Sequence, residues 1–397
     1  MGGGSVADKG VAMTTGQVSR RDDWGLRAVS EETAAAYRAA GHWRGESLGQ
    51  VVANGLAEMG SAEFRVLSAF RPWSGTFVDV DRAARRFAAS LRARGVGPGD
   101  VVLIQLPNWV EAGIAFWAAT YLGAVVVPVV HFYGAKEVGY IVEATDPAVV
   151  IGAASFGKLD PLGTHAAVME RHPVENWLVV GEDTPLPPGA TPFADLLDAD
   201  PIAGPAEVDP SSPALIGFTS GTTQNPKGVV HSHDTLGFEA RQLSDRFPDG
   251  GPPQITGAPV GHFIGMLNAF LTPLLKWRPV NLVDVWDPTE ILRLMSEEGL
   301  GLTGGATYFL TSILDHPDFG EEHLAMMPFA GLGGSPVPAL SPSGRRPWAS
   351  GRSGRTAARS TRPSPGAGST NRPRSVSTPT DVRCRAWRSA STTTARS

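Results

Sequence analysis

Ala214-Leu215-Ile216-Gly217-Phe218 is a short apolar run of the kind that forms a buried strand. It leads directly into Thr219-Ser220-Gly221-Thr222-Thr223-Gln224-Asn225-Pro226-Lys227-Gly228-Val229, a stretch of small and hydroxyl-bearing residues with a single lysine. His231-Ser232-His233-Asp234 comes next, and from Leu236 to Phe247 the apolar residues recur at helical spacing. Strand, hydroxyl-rich loop, lysine and helix in this order suit a triphosphate. Small residues let backbone N–H groups approach phosphate oxygens, hydroxyls add donors, and the lysine supplies a point charge. Pro226 would stiffen the loop just before that lysine. The spacing is not that of the common nucleotide-kinase loop, Gly-x-x-x-x-Gly-Lys-Ser/Thr, because Lys227 lies six residues after Gly221 and is followed by Gly228. The plain alternative is an ordinary Ser/Thr/Gly-rich surface loop, against which the length of the motif argues.

The surrounding chain alternates strands and helices. Asp79–Arg94 places Ala83, Phe87, Ala88 and Leu91 on one face and predicts an amphipathic helix, stopped by Gly95. Val96-Gly97-Pro98-Gly99-Asp100 turns into a strand over Val101–Leu106, and Pro107-Asn108 begins the next helix. Ala112–Val130 is 19 mostly apolar residues, long enough to raise a membrane span. Gly123 and Pro128 interrupt it and favour a buried helix followed by a strand, Ala124–Val130. A helix over Lys136–Glu143 and a strand over Ala148–Ile151 continue the alternation, which predicts an α/β fold with a largely parallel sheet. Thr184–Pro213, rich in Pro, Ala and Asp, reads as a surface connection. Farther on, Val280–Val283 reads as a strand, Thr289–Glu298 as a helix, and Leu302–Leu310 as a second strand-to-helix turn. There Gly304 and Gly305 would let a substrate chain come close to backbone.

The 397 residues, 42% hydrophobic and 18% charged, can bury a sizeable core in two or three domains. A lone cysteine, Cys384, excludes an internal disulfide framework and points to a reducing, cytoplasmic setting. No secretory signal opens the chain, and the Gly/Ser/Thr-rich start is expected to be disordered over residues 1–20.

The stretch Thr219–Val229 resembles the phosphate loop of the adenylate-forming (AMP-binding) superfamily: acyl- and aryl-CoA ligases, luciferases and peptide-synthetase adenylation domains. Gln224 departs from it, standing where that family usually has glycine. The likeness extends to Gly95-Val96 with Gly99-Asp100, Leu106-Pro107-Asn108, and Leu122-Gly123-Ala124 through Pro128. Pro259-Val260-Gly261-His262-Phe263-Ile264-Gly265 resembles the family's Pro-x-x-His-x-x-Gly segment beside the acyl pocket, and Gly333-Gly334-Ser335-Pro336 its Gly-Gly-x-Pro segment against the adenine. The resemblance implies the large N-terminal domain of that superfamily, stacked mixed sheets flanked by helices, over residues 21–340. It implies an acyl-CoA ligase of the fatty-acid–CoA ligase type. A carboxylate attacks the α-phosphate of Mg-ATP to give acyl-adenylate and pyrophosphate, and coenzyme A then displaces AMP. Thr219, Ser220, Gly221, Thr222, Thr223 and Lys227 would hold the phosphates, with Thr222, Lys227 and His262 as catalytic residues. Gly333, Gly334 and Ser335 would meet the adenine. His262, Phe263, Gly304 and Gly305 would border the acid, and the apolar set Phe263, Ile264 and Met266 favours a fatty or alicyclic one. His233 is read as scaffolding at a helix start. ATP, Mg²⁺ and coenzyme A are the expected cofactors and co-substrates, with no residue identifiable as a metal ligand.

At Ser341 the composition turns to Arg, Ser, Thr, Pro and Gly. Met1–Leu340 holds 22 basic against 38 acidic residues, net −16; the remainder holds 12 arginines, no lysine and one acid, Asp381, net +11. Such a tail cannot bury enough apolar surface to fold and is expected to be disordered. A basic tail raises nucleic-acid binding, but only Trp348 and Trp387 interleave the charges with aromatic rings, and no nucleic-acid partner is expected. We read residues 341–397 as family sequence displaced by one reading frame after about Leu340. Joining the last base of each codon to the first two of the next, Arg355–Gly366 permits Tyr-Gly-Ser-Thr-Glu-His-Pro-Ser-Val-Thr-Gly, which opens with the family's next motif. The Mg²⁺-holding glutamate, the ribose-binding aspartate and the small C-terminal domain are then missing. The expectation is an impaired ligase, or a non-catalytic ATP-binding remnant.

Overall fold

The computed structural model describes residues 24, 26, 29–181, 185–219, 226–245 and 250–327, and the backbone of 331–332. The first elements among the described residues are two helices, α1 (Glu31–Ala39) and α2 (Leu48–Met59), each started by a serine whose hydroxyl accepts from a first-turn N–H. At α2 the bond is reciprocated by Gln50, a capping box. The antiparallel pair β1 (Glu63–Val66) and β2 (Trp73–Thr76) leads into α3 (Phe77–Ala93), whose start is fixed by a Thr76–Asp79 box. The buried face of α3 carries Val80, Ala84, Phe87, Ala88 and Leu91. The anticipated Ala83 is partly buried against the same core, and Ala84 beside it is fully buried.

Strand–helix units then follow in register with the anticipated alternation: β3 (Val101–Gln105), α4 (Val110–Tyr121), β4 (Val125–Pro128), α5 (Ala135–Thr145), β5 (Val149–Ala153), α6 (Pro161–Met169) and β6 (Asn176–Val180). With β7 (Ala190–Pro192), β8 (Pro213–Thr219) and β9 (Lys227–Ser232) they build a seven-stranded sheet in the order β7-β6-β5-β3-β4-β8-β9. All neighbours are parallel except β8 and β9. Val102 and Ile104 of β3 point into one core and Val101 and Leu103 into the other, so both faces of the sheet are covered.

The 19-residue apolar run folds as a buried helix and a strand. All twelve residues of α4 are buried, and Gly123, at φ 67°, turns the chain into β4. No helix among the described residues is long and apolar enough to cross a membrane. The predicted helix start at Pro107-Asn108 moves to Val110, because the Asn108 amide is used elsewhere, as described below. The Thr184–Pro213 connection is more than surface: it supplies β7, and Phe193 stacks on Phe87 with ring centroids 4.3 Å apart.

The helix α7 (His233–Ser244) follows β9. The strands β10 (Gln254–Thr256) and β11 (Val280–Leu282) form a second sheet in the order β10-β11-β1-β2. Between them run a short helix α8 (Phe263–Met266), a π-helical turn over Leu267–Leu271, and α9 (Thr272–Lys276). Then α10 (Pro288–Glu298) follows Asp287, whose carboxylate accepts from two first-turn N–H groups. A third sheet pairs β12 (Gly304–Gly305) with β13 (Gly331–Leu332), separated in sequence by α11 (Thr307–Leu314) and α12 (Glu321–Ala325).

Candidate functional site

The loop foreseen as a phosphate cradle joins the antiparallel strands β8 and β9. Burial runs along β8 from Ala214 to Gly217 and ends at Thr219, which is exposed; Lys227, the first residue of β9, is exposed as well. The register pairs Thr219 directly with Lys227, and the Thr219 hydroxyl donates to the Lys227 carbonyl at 3.4 Å. A threonine and a lysine thus stand opposite one another at the carboxyl end of β8, near one edge of the sheet; ligands of open α/β sheets usually bind beyond the carboxyl ends of the strands. Ser220, Gly221, Thr222 and Thr223 lie outside the described residues, as do Gly333, Gly334 and Ser335 and the whole 341–397 segment.

The Pro259–Met266 segment is fastened against the same end of the sheet. Asn108, buried just past β3, donates through Nδ2 to the carbonyls of Thr256, Ala258 and Val283, and its Oδ1 accepts from Val260 N–H at 2.8 Å. One amide therefore ties the large sheet to the second sheet and to the segment. Gly261 crosses β4 so closely that a Cβ there would lie 2.1 Å from the Val129 carbonyl oxygen, so only glycine fits. Gly265 folds back on Pro259 with the same closeness.

His262 sits at the head of α8, and partial burial of its ring holds its pKa below the ordinary histidine value. Phe263 reaches the hairpin: its ring stacks on His231 of β9, with centroids 4.7 Å apart and planes 17° from parallel. Burial likewise lowers the His231 pKa. The acyl-segment phenylalanine and the phosphate-loop hairpin are thus in direct contact. Ile264 and Met266 divide otherwise: Ile264 is exposed, and Met266 is fully buried in the core. His233 has the anticipated scaffolding position. Its Nδ1 accepts from Leu48 N–H at 3.1 Å, joining α7 to α2, and burial pushes its pKa down to about 4.

Gly304 and Gly305 form β12 and pair with Gly331 and Leu332, so this turn lies beside the two residues preceding Gly333. Sequence reasoning missed Asn108 as the tie between sheets and His231 as the partner of Phe263. It also missed a polar-lined cavity between the second sheet and the π-helical turn, bounded by Thr256, Gly257, Ala258, Asn268, Thr272 and Thr303. The available signal was Asn268 and Thr272, two polar residues four apart in an apolar helical run. Among the described residues no group of three or more His, Cys, Asp or Glu is placed to hold a metal ion.

Comparison with known proteins agrees with this geometry. The AMP-binding enzyme family matches residues 64–341, more than half of the chain, ending where the composition changes. A salicyl-AMP ligase / salicyl-S-ArCP synthetase of Mycobacterium tuberculosis is 32% identical over 53% of this chain and 37% of its own length. A (7a-methyl-1,5-dioxo-octahydro-1H-inden-4-yl)propanoyl:CoA ligase of Rhodococcus jostii is 30% identical over 66% of this chain and 53% of its own. A long-chain-fatty-acid–CoA ligase of Mycobacterium tuberculosis is 29% identical over 66% and 50%. The chain thus spans about half the length, or less, of these relatives. In fold it resembles the apo structure of MbtA from Mycobacterium smegmatis, with a TM-score of 0.66 at 24% identity, covering 79% of this chain and 56% of that one. It also resembles the N-terminal domain of FACL13 from Mycobacterium tuberculosis, with a TM-score of 0.61 at 23% identity over 74% and 71%. The loop between β8 and β9, the glycine-tight segment laid over β4 and the match across residues 64–341 lead to one assignment: the chain belongs to the AMP-binding enzyme family, with the fold of the N-terminal domain of adenylate-forming enzymes.

Proposed function

We propose that this site is built to activate a carboxylic acid with ATP, the reaction of an acid–CoA ligase, and that the chain as given binds ATP but is impaired in completing that reaction. The observation that carries the reading is the β8–β9 register, which sets Thr219 opposite Lys227 at the end of β8, with Phe263 against the same hairpin. ATP supplies the electrophilic α-phosphate and pyrophosphate as leaving group. Thr219 and Lys227, with Ser220, Gly221, Thr222 and Thr223, neutralise and orient the phosphates. That placement lowers the barrier by positioning and electrostatics rather than by covalent chemistry. His262 and Phe263 border the acid, and Gly304 and Gly305 line its approach; Gly333, Gly334 and Ser335 serve the adenine. No residue is assigned to Mg²⁺, and coenzyme A enters as the accepting thiol. The relatives act on salicyl, indane-type and long-chain fatty acyl groups by name; for this chain a fatty or alicyclic acid fits Phe263 best.

The reading is tested by ATP binding to the full chain, followed calorimetrically and by thermal stabilisation. ATP is expected to raise the unfolding temperature, and Lys227→Ala to weaken binding about ten- to a hundredfold, the loss of one charge-assisted contact. Binding that is indifferent to Lys227 would refute the phosphate assignment. A non-catalytic ATP-binding protein is the second reading, favoured by one observation: residues 341–397 contain a single acid, Asp381, and no lysine.

A further inference from the structure

The cavity between the second sheet and the helical stretch after His262 has a volume of about 50 Å³, room for a few waters or a small organic group. It adjoins both segments proposed to hold the acid. Thr256, Gly257 and Ala258 lead into Pro259, and Thr303 precedes Gly304. Its wall is not apolar: Arg278 lines one part of it, and three polar side chains line another. Gln254 Oε1, Asn268 Oδ1 and Thr272 Oγ1 are all buried side-chain oxygens without a hydrogen-bond partner, and all three residues line this one cavity. The Gln254 amide is held by donation from Nε2 to the Pro252 carbonyl at 2.6 Å, which commits Oε1 as the free acceptor. Asn268 lies in the π-helical turn, closed by Thr272 N–H donating to the Leu267 carbonyl, and Thr272 stands four residues on. Such turns are rare and concentrate at functional sites.

Buried acceptors without donors are costly, and an apolar ligand that displaced water from them would leave them unmet. The geometry points to a hydroxylated acid: a fatty or alicyclic carboxylate whose hydroxyl, remote from the carboxyl group, donates to the Asn268 or Thr272 oxygen. This rests on the acid-activating reading of the site, and it reverses the preference for a purely apolar acid drawn from Phe263, Ile264 and Met266.

The test is calorimetric titration of the full chain, with ATP present, using two matched pairs. One pair is cyclohexanepropanoate and its ring-hydroxylated analogue; the other is decanoate and its ω-hydroxy analogue. A hydroxylated member is expected to bind about tenfold more tightly than its parent, the cost of leaving buried acceptors unpaired. In the double variant Asn268→Leu/Thr272→Val that preference is expected to vanish or invert. Equal binding within both pairs, or tighter binding of the parents, overturns the inference and leaves acid activation standing. A preference that survives in the folded double variant overturns the assignment to this wall. ATP binding with no binding of any of the four acids overturns both readings together.

Discussion

His165 shows how a single residue's surroundings set a property of the whole chain. Its ring is fully buried, with Nε2 donating to Gln105 Oε1 at 2.6 Å. The Gln105 amide cannot turn to suit a different tautomer, because its Nε2 already donates to the Val130 and Tyr133 carbonyls. Nδ1 is left buried without a partner, so the imidazole is held neutral, and desolvation pushes its pKa from 6.5 to about 4. The unfolded chain therefore takes up the proton first as pH falls. The stability from the neutral ring is complete above about pH 6.5 and is lost progressively toward pH 4. The loss is roughly 3 kcal/mol from this histidine. Denaturant unfolding measured across that window is expected to show a shallower decline for His165→Gln than for the native chain; parallel declines would mean that the ring is solvated. His233, pushed to about 4 by burial at the start of α7, contributes in the same direction and keeps the variant's decline above zero.

At the scale of elements, the path from residues to structure was short wherever periodicity or a cap specified the outcome. The amphipathic run of α3, the apolar run that became α4 and β4, and the Asp287 cap of α10 were legible because each is a local signal. The short strands β1, β2 and β7 were not: each has three or four residues, too few for a period to show, and β1 lies between β2 and β11, a partner far along the chain. The site divides the same way. The Thr219–Val229 motif announced the loop after β8, but the return strand β9 was not foreseen, and the stack of Phe263 on His231 and the reach of Asn108 across two sheets are tertiary facts without a sequence period. Gly261 is where these elements depend on one atom. Gly261→Ala sets a Cβ 2.1 Å from the Val129 carbonyl, backbone that cannot rotate away, and is expected to cost about 3 kcal/mol. It should also shift the segment carrying His262 and Phe263. Gly97→Ala, where nothing lies within 4 Å, is the control and should change stability by less than about 0.5 kcal/mol. Equal effects from the two would mean that the close crossing over β4 does not hold the segment.

Over the whole molecule, the boundary near residue 341 decides what chemistry remains. The family match ends at 341, and there the composition passes from a net −16 body to a net +11 segment with one acid. On the proposed reading, in which Thr219 and Lys227 gather the phosphates, a carboxylate is also needed for the metal that accompanies ATP; among the described residues no group of three or more His, Cys, Asp or Glu is placed to hold one. We propose that the missing group is encoded one reading frame away, where Arg355–Gly366 permits Tyr-Gly-Ser-Thr-Glu. The consequence is a separation of binding from turnover. The chain as given is expected to bind ATP, through Lys227, yet to give little or no ATP–pyrophosphate exchange with any carboxylic acid. A chain translated in the shifted frame from about Leu340 is expected to regain exchange by at least a hundredfold, since oriented electrostatic groups of this kind are commonly worth that much. Robust exchange by the chain as given would show that its own residues supply the missing charge. A DNA sequence without family-like text in the neighbouring frame would remove the proposed source of that charge. Either result would move the search for the metal-holding group to residues inside the 64–341 match.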